Sequence, residues 1–233
     1  MRFSPFRSGS FSLRIAHLDP LGVLRMHFVA RLLVFFGVAW SVHAADIPAS
    51  LDRFHFLAGL SIVGAGFDYI SPPQCESFFR EGGEQRPAEL FLAAAQNWKN
   101  TQPIHFYDPS GKRLVIQHQA LSEALRAFYA PPDGPGSTEL GLIRLPRQQR
   151  LSFVAGIYAR TFRDGAFHGA PSPAMRATVL ILLAEGCQVS HLAFSEHEVP
   201  DSMYFRVTPT KPVADLFASV NDWRPPHVEW QPK

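Results

Sequence analysis

The chain has 233 residues, 46% hydrophobic and 18% charged, with a formal net charge of +2. That balance excludes a disordered chain, which has too little apolar surface to fold, and two cysteines are too few for a scaffold built on disulfides.

The first recognisable segment is a secretory signal. Arg31 supplies positive charge, Leu32-Leu33-Val34-Phe35-Phe36-Gly37-Val38-Ala39-Trp40 an uncharged apolar run, and Val42-His43-Ala44 the small residues of a cleavage site. Cleavage is expected after Ala44, so residues 1–44 form the signal and 45–233 a single globular domain. A membrane anchor needs about 20 apolar residues, and this run is broken by His43, Asp46 and Pro48. No span is expected after cleavage, and the location follows as periplasmic or secreted. Upstream, Arg2, Arg7, Arg14 and Arg25 show no helical or strand period, so Met26 stands as a second candidate start.

Trimming removes five arginines and Asp19, leaving 17 basic against 19 acidic residues. Nucleic acid demands clustered basic residues to neutralise phosphates, so a nucleic-acid partner is not expected. The largest basic group left, Arg144, Arg147 and Arg150 around Pro146, reads as a solvated loop. Both cysteines, Cys75 and Cys187, survive cleavage into a space where disulfides persist, and a bridge between them is expected. Closing so long a loop would stabilise the fold by roughly 4–5 kcal/mol in the chain-entropy model.

Phe54 to Tyr69 is apolar, interrupted by Gly59, Gly64 and Gly66, and reads as a buried strand or an irregular core segment ended by Pro72-Pro73. Pro87 suits a first helical turn, and Leu90, Phe91, Ala94, Ala95 and Trp98 then line one face, which predicts a helix over 87–99. Ile104–Tyr107 and Arg113–Ile116 flank Asp108-Pro109-Ser110-Gly111, a β-hairpin pattern. Leu121, Leu125 and Phe128 give a helix over 119–129, ended by Pro131-Pro132 and a loop through Ser137.

Beyond it, alternation over Phe153–Arg160 predicts a half-buried strand, Ala177–Ala184 and Cys187–Phe194 two more joined at Glu185-Gly186, and Ser202–Thr208 a fourth. Pro212 opens a last helix carrying Val213, Leu216, Phe217 and Val220, and the tail from Trp223 is irregular. The expected fold is therefore α+β: an antiparallel β-meander in the C-terminal half with helices packed on one face, in a single domain without internal repeats.

No stretch carries a specific catalytic signature. Val63-Gly64-Ala65-Gly66-Phe67-Asp68-Tyr69 resembles the opening of a dinucleotide fingerprint, but Tyr69 replaces the third glycine and Pro72-Pro73 blocks the helix that should hold the phosphates, so no cofactor is expected. Ser195-Glu196-His197-Glu198, with His191 before it and Asp201 after, concentrates ionisable groups. Val199-Pro200 follows where a zinc helix would place its second histidine, so no metal is expected either. His168 lies in a glycine-bearing loop near Arg163 and Asp164, where it would serve as a general base. The candidate catalytic residues are thus His168, His191, His197 and Glu198. Trp223, Trp230, Tyr204 and Tyr158 are candidates for a binding surface. These observations lead to an exported protein that binds another protein or an envelope component without a catalytic site, for instance as a toxin-neutralising or envelope accessory protein. An envelope hydrolase using the histidines is the alternative, and it requires them to converge within about 4 Å of carboxylates.

Overall fold

The computed structural model describes residues 47–61, 76–129, 139–195 and 202–233. The expected signal, the Gly64-Gly66 segment, Cys75, the proline loop from 131, His197 and Glu198 lie outside them. Along the chain come α1 (Arg53–Ser61), β1 (Glu76–Arg80), α2 (Gln85–Ala95), β2 (Ile104–Asp108), β3 (Arg113–Gln117), α3 (Gln119–Tyr129) and α4 (Glu139–Ile143). They are followed by α5 (Arg147–Thr161), β4 (Phe162–Arg163), β5 (Ala166–Gly169), α6 (Pro173–Ala184), β6 (Gln188–Ser195), β7 (Ser202–Thr208) and α7 (Lys211–Asp222). The strands make two antiparallel sheets, ordered β1-β3-β2 and β4-β5-β7-β6. The protein is therefore α+β, with a four-stranded sheet in its C-terminal half. Among the described residues no helix is long and apolar enough to cross a membrane.

The centre of the fold is the contact between α1 and α5. A Cβ on Gly59 would stand 2.1 Å from the Phe153 carbonyl oxygen and 2.9 Å from Gly156 Cα; one on Gly156 would stand 2.2 Å from the Phe56 carbonyl oxygen and 2.9 Å from Gly59 Cα. The two helices thus meet backbone to backbone, and only glycine fits on either side. The contact is also reciprocal, each glycine facing the carbonyl three residues before the other, as in a two-fold interface.

That reciprocity extends to the order of the described elements. After α1 come β1, α2, β2, β3 and α3; after α5 and the short β4 come β5, α6, β6, β7 and α7. The strand order β1-β3-β2 returns as β5-β7-β6. Phe56-Leu57-Ala58-Gly59-Leu60 in α1 matches Phe153-Val154-Ala155-Gly156-Ile157 in α5. The chain is an internal repeat of one arrangement, which corrects the expectation of none.

Three stretches expected as strand or irregular core are helices; of the first, Phe54–Ser61 lies in α1, where every residue from His55 to Ser61 is buried and no polar face shows the period. Phe153–Arg160 belongs to α5, in which every residue from Leu151 to Tyr158 is buried, so the helix has no polar face to reveal its period. Ala177–Ala184 belongs to α6, capped by Ser172 and opened by Pro173; its β-branched Thr178, Val179 and Ile181 favour a strand that tertiary packing overrides. Glu185-Gly186 is accordingly a helix end rather than a hairpin turn, with Gly186 at φ 80° and the Cys187 amide donating to the Leu182 carbonyl. The predicted hairpin at 104–116, the helix at 119–129, the strands near 187–194 and 202–208 and the last helix are all present. Beyond α7 the tail returns to the first sheet, where Tyr107 N–H donates to the Gln231 carbonyl at 2.8 Å.

The Arg144, Arg147 and Arg150 group is not a solvated loop either. Arg147 and Arg150 open α5 and both bind Glu185, whose carboxylate is only 6% exposed. Burial alone would raise the Glu185 carboxyl, but the two guanidinium groups outweigh it and hold the carboxyl below its ordinary value.

His118 precedes α3 and is 4% exposed. Its Nδ1 accepts from the Leu121 amide at 3.2 Å, so the neutral ring carries its proton on Nε2, 3.1 Å from Thr101 Oγ1. Burial pushes its pKa below the ordinary histidine value. The neutral form is therefore favoured in the folded state, and its stabilisation is complete above about pH 6.5 and lost as pH falls through the lowered folded value. Urea midpoints at about pH 7.5 and about pH 5.5 should differ less in His118→Asn, which keeps a capping oxygen without titrating, than in the parent. An equal acid loss in both would contradict this role.

Candidate functional site

The four-stranded sheet has two unlike faces. In β7, Met203 and Phe205 are buried, and Phe205 stacks on Phe167 of β5 with ring centroids 4.6 Å apart. Alternation turns Ser202, Tyr204, Arg206 and Thr208 away from this core. Register then sets His168 and Ala193 beside Tyr204, Ser190 beside Arg206 and Gln188 beside Thr208. Arg163 joins them through a two-residue turn, Asp164-Gly165, whose φ values of 52° and 77° are those of a tight hairpin.

Within this face, Arg206 Nε donates to the Tyr204 hydroxyl at 2.7 Å, and the guanidinium carbon stands 5.9 Å from the tyrosine ring centre. The His168 ring lies at 5.0 Å from the same ring, inclined by 69°. Its Nε2 is buried without a hydrogen-bond partner among the described residues. On the neighbouring strand β6 the register slips between Ser190 and Ala193, and His191 adopts φ 54° in the bulge, leaving Leu192 48% exposed.

The strands of this sheet carry basic and neutral side chains only. The strands β4 to β7 contain no Asp or Glu, and neither Arg163 nor Arg206 has a carboxylate partner among the described residues. Four arginines elsewhere are neutralised, Arg147 and Arg150 by Glu185, Arg160 by Glu84 and Arg176 by Glu139. An unpaired guanidinium keeps its planar fork of donors free for an oxyanion.

Of the predicted catalytic residues only His168 and His191 are among the described residues, and they stand apart. His168 and His191 lie on β5 and β6 with β7 between them, and neither forms a pair with a carboxylate among the described residues. The histidine–carboxylate pairs that do form are others, which the sequence pattern does not single out: His55 Nδ1 is 2.7 Å from Asp52 Oδ1, and His227 Nδ1 is 3.0 Å from Glu89 Oε1. Asp52 is a helix cap. It also accepts from the His55 amide at 3.1 Å, and although burial pushes its carboxyl up, the bonds from His55 outweigh this and hold it below its ordinary value. An Asp just before an apolar run, with a residue able to answer it three positions on, is the signal that would have found it.

Among the described residues no group of three or more His, Cys, Asp or Glu is placed to share a metal ion. Cys187 is a buried thiol 3.9 Å from Thr210 Oγ1 and makes no disulfide to a described residue. Of the aromatic candidates, Trp223 packs on Phe56 and Tyr158 on Phe217 in the core, and Trp230 is half-buried against His105; Tyr204 alone lies on the sheet face.

No protein-family model and no curated protein matches the sequence. Among solved structures the fold is similar to a chain of mesophilic variants of the homing endonuclease I-DmoI, at 10% identity and a TM-score of 0.48, over 74% of this chain and 96% of that one. Two expectations are corrected here. The exported interaction protein without a catalytic site and the histidine hydrolase both give way to another reading, because one face of the second sheet carries guanidinium groups without a carboxylate partner and neither His168 nor His191 pairs with a carboxylate among the described residues. The exclusion of nucleic acid also falls, for a physical reason: net charge averages over arginines that are neutralised and arginines that are not.

Proposed function

We propose that the protein binds nucleic acid across the open face of its four-stranded sheet. The observation that carries this reading is the pair of unpaired arginines, Arg163 and Arg206, on a face whose strands hold no carboxylate. Phosphate oxygens are bound best by guanidinium forks, and releasing the counterions of the phosphates drives association. Gln188, Ser190 and Thr208 add neutral donors of the kind that position a sugar–phosphate backbone, while the rigid strands fix their spacing. Tyr204, held by Arg206, gives the face an aromatic surface beside its charges.

The test is fluorescence anisotropy of the full chain with a short labelled DNA duplex and the corresponding single strand at about 50 mM salt. Saturable binding to at least one probe is expected, weakened about tenfold or more in the double variant Arg163→Gln/Arg206→Gln. Both positions are exposed, so the variant should fold. Absence of binding to both probes, or undiminished binding by the double variant, would sink the reading.

A further inference from the structure

A second feature of the fold lies away from the sheet face. A cavity of about 190 Å³ opens between α2 of the first repeat and α5, β4 and α7 of the second. Its walls divide by chemistry: Leu90, Phe162 and Val220 are apolar, whereas Arg86, Tyr158 and Asn221 bring polar atoms. At about 30 Å³ per water, the space corresponds to roughly six waters, enough for a small molecule and too little for a nucleotide.

The polar wall has spare donors. Arg86 uses Nη2 alone to close the C-terminus of α7, donating to the carbonyls of Val220 at 3.0 Å, Asn221 at 3.0 Å and Trp223 at 3.2 Å. Its Nε and Nη1 make no hydrogen bond among the described residues. The Asn221 amide donates to the Tyr158 hydroxyl at 2.8 Å, which leaves that hydroxyl's own proton to give. Tyr158 is fixed by stacking on Phe217 at 4.0 Å.

The charge is undercompensated as well. Arg224 binds the Asn221 carbonyl and brings a second guanidinium to the site. Glu89, one turn along α2 from Arg86, is engaged by Gln85 and His227. Burial first, then repulsion from Arg224, pushes the Arg86 guanidinium below its ordinary value, and attraction by Glu89 and Tyr158 offsets them only in part.

The geometry points to a binding site for a small carboxylate with a short aromatic or aliphatic body: the carboxylate on Arg86 and the Tyr158 hydroxyl under the field of Arg224, the body against Leu90, Phe162 and Val220. A neutral molecule would forgo the charge-assisted bonds that Arg86 offers a carboxylate, and an inorganic phosphate would leave the apolar wall unfilled. The ligand would bridge the two repeats, touching α2 on one side and α5 and α7 on the other.

Isothermal titration of the full chain in a Tris-chloride buffer, with benzoate, benzyl alcohol and inorganic phosphate as probes, tests the site. Saturable binding of benzoate is expected, with benzyl alcohol and phosphate at least tenfold weaker. Tyr158→Phe keeps the stacked ring and Arg224→Ala alters an exposed side chain; each should weaken benzoate at least tenfold with an unchanged circular dichroism spectrum. No saturable benzoate binding at millimolar concentrations, equal binding of benzyl alcohol or phosphate, or full affinity in both variants would overturn the assignment. The sheet-face arginines are separate from these residues, so either proposal can fail alone.

Discussion

Gly156→Ala should lower the unfolding free energy by about 3 kcal/mol or more, among the largest effects available to a single methyl group in this chain. The methyl would lie 2.2 Å from the Phe56 carbonyl oxygen, 2.7 Å from the Leu60 amide nitrogen and 2.9 Å from Gly59 Cα. All three are backbone atoms inside a helix, so no side chain can rotate aside, and relief requires α1 and α5 to separate. Separation would in turn loosen the buried residues packed along both helices, among them Phe56, Leu60, Phe153 and Ile157. Gly59→Ala should behave alike because the contact is reciprocal. Gly83→Ala, where an added Cβ meets nothing within 4 Å, supplies the control. For a domain of this size the expected fall in Tm is roughly 6–12 °C, read by thermal unfolding against the control. A Gly156→Ala protein as stable as Gly83→Ala would mean that the two helices do not touch through their backbones.

The second large effect is expected at Arg160. Its side chain is 3% exposed at the C-terminal end of α5, where Nε donates to Glu84 Oε1 at 2.9 Å, Nη1 to the Leu60 carbonyl at 2.6 Å and Nη2 to the Phe78 carbonyl at 2.8 Å. The guanidinium carbon lies 4.5 Å from the centre of the Phe79 ring. One side chain thus closes the last turn of α1, ties β1 to the helix pair and pairs with a partly buried carboxylate. Arg160→Met fills much of the volume but strands the Glu84 charge and both carbonyls. Breaking a buried pair in this way costs about 3–5 kcal/mol. Arg160→Met/Glu84→Gln should regain part of the loss by removing the orphaned charge, leaving the carbonyl share. Chemical denaturation of the single and double variants measures both; a loss below about 1 kcal/mol in Arg160→Met would show that the three bonds are not held together in solution.

Much of the fold is legible in the sequence where an element has one wet and one dry face. The hairpin at Asp108–Gly111, the stripe of Leu121, Leu125 and Phe128, and the proline-led α7 can be read because neighbouring polar residues expose the period. The reading fails where no polar face sets off the buried one. Leu151–Tyr158 are buried on every side and the exposed face of α6 carries Leu180 and Leu183, so a period of 3.6 leaves no trace and β-branched residues weigh too heavily.

The repeat is legible in part. Phe-Leu-Ala-Gly-Leu and Phe-Val-Ala-Gly-Ile stand in plain view, yet Gly59 and Gly156 interrupt their runs and read as irregularity until their facing contact is known. Asp164-Gly165 is likewise a hairpin signal, hidden because β4 before it is only two residues long and continues directly from a helix.

The site is less visible still. A sequence shows that Arg147, Arg160, Arg163 and Arg206 are arginines, but whether each has a carboxylate beside it is decided by contacts between residues as far apart as Arg160 and Glu84. Net charge therefore points away from nucleic acid while one face of the second sheet keeps its guanidinium groups free. The candidate histidines are no more legible: whether His168 or His191 meets a carboxylate is decided by the fold, and among the described residues neither does.

The central claim is that Arg163 and Arg206 meet phosphates, and the salt dependence of binding tests it most directly. For duplex DNA the slope of log Kobs against log salt concentration should become shallower by about 2 in Arg163→Gln/Arg206→Gln, roughly one for each phosphate that no longer has a guanidinium beside it. An unchanged slope in the double variant, whatever its affinity, would place the phosphates elsewhere on the protein and contradict the account.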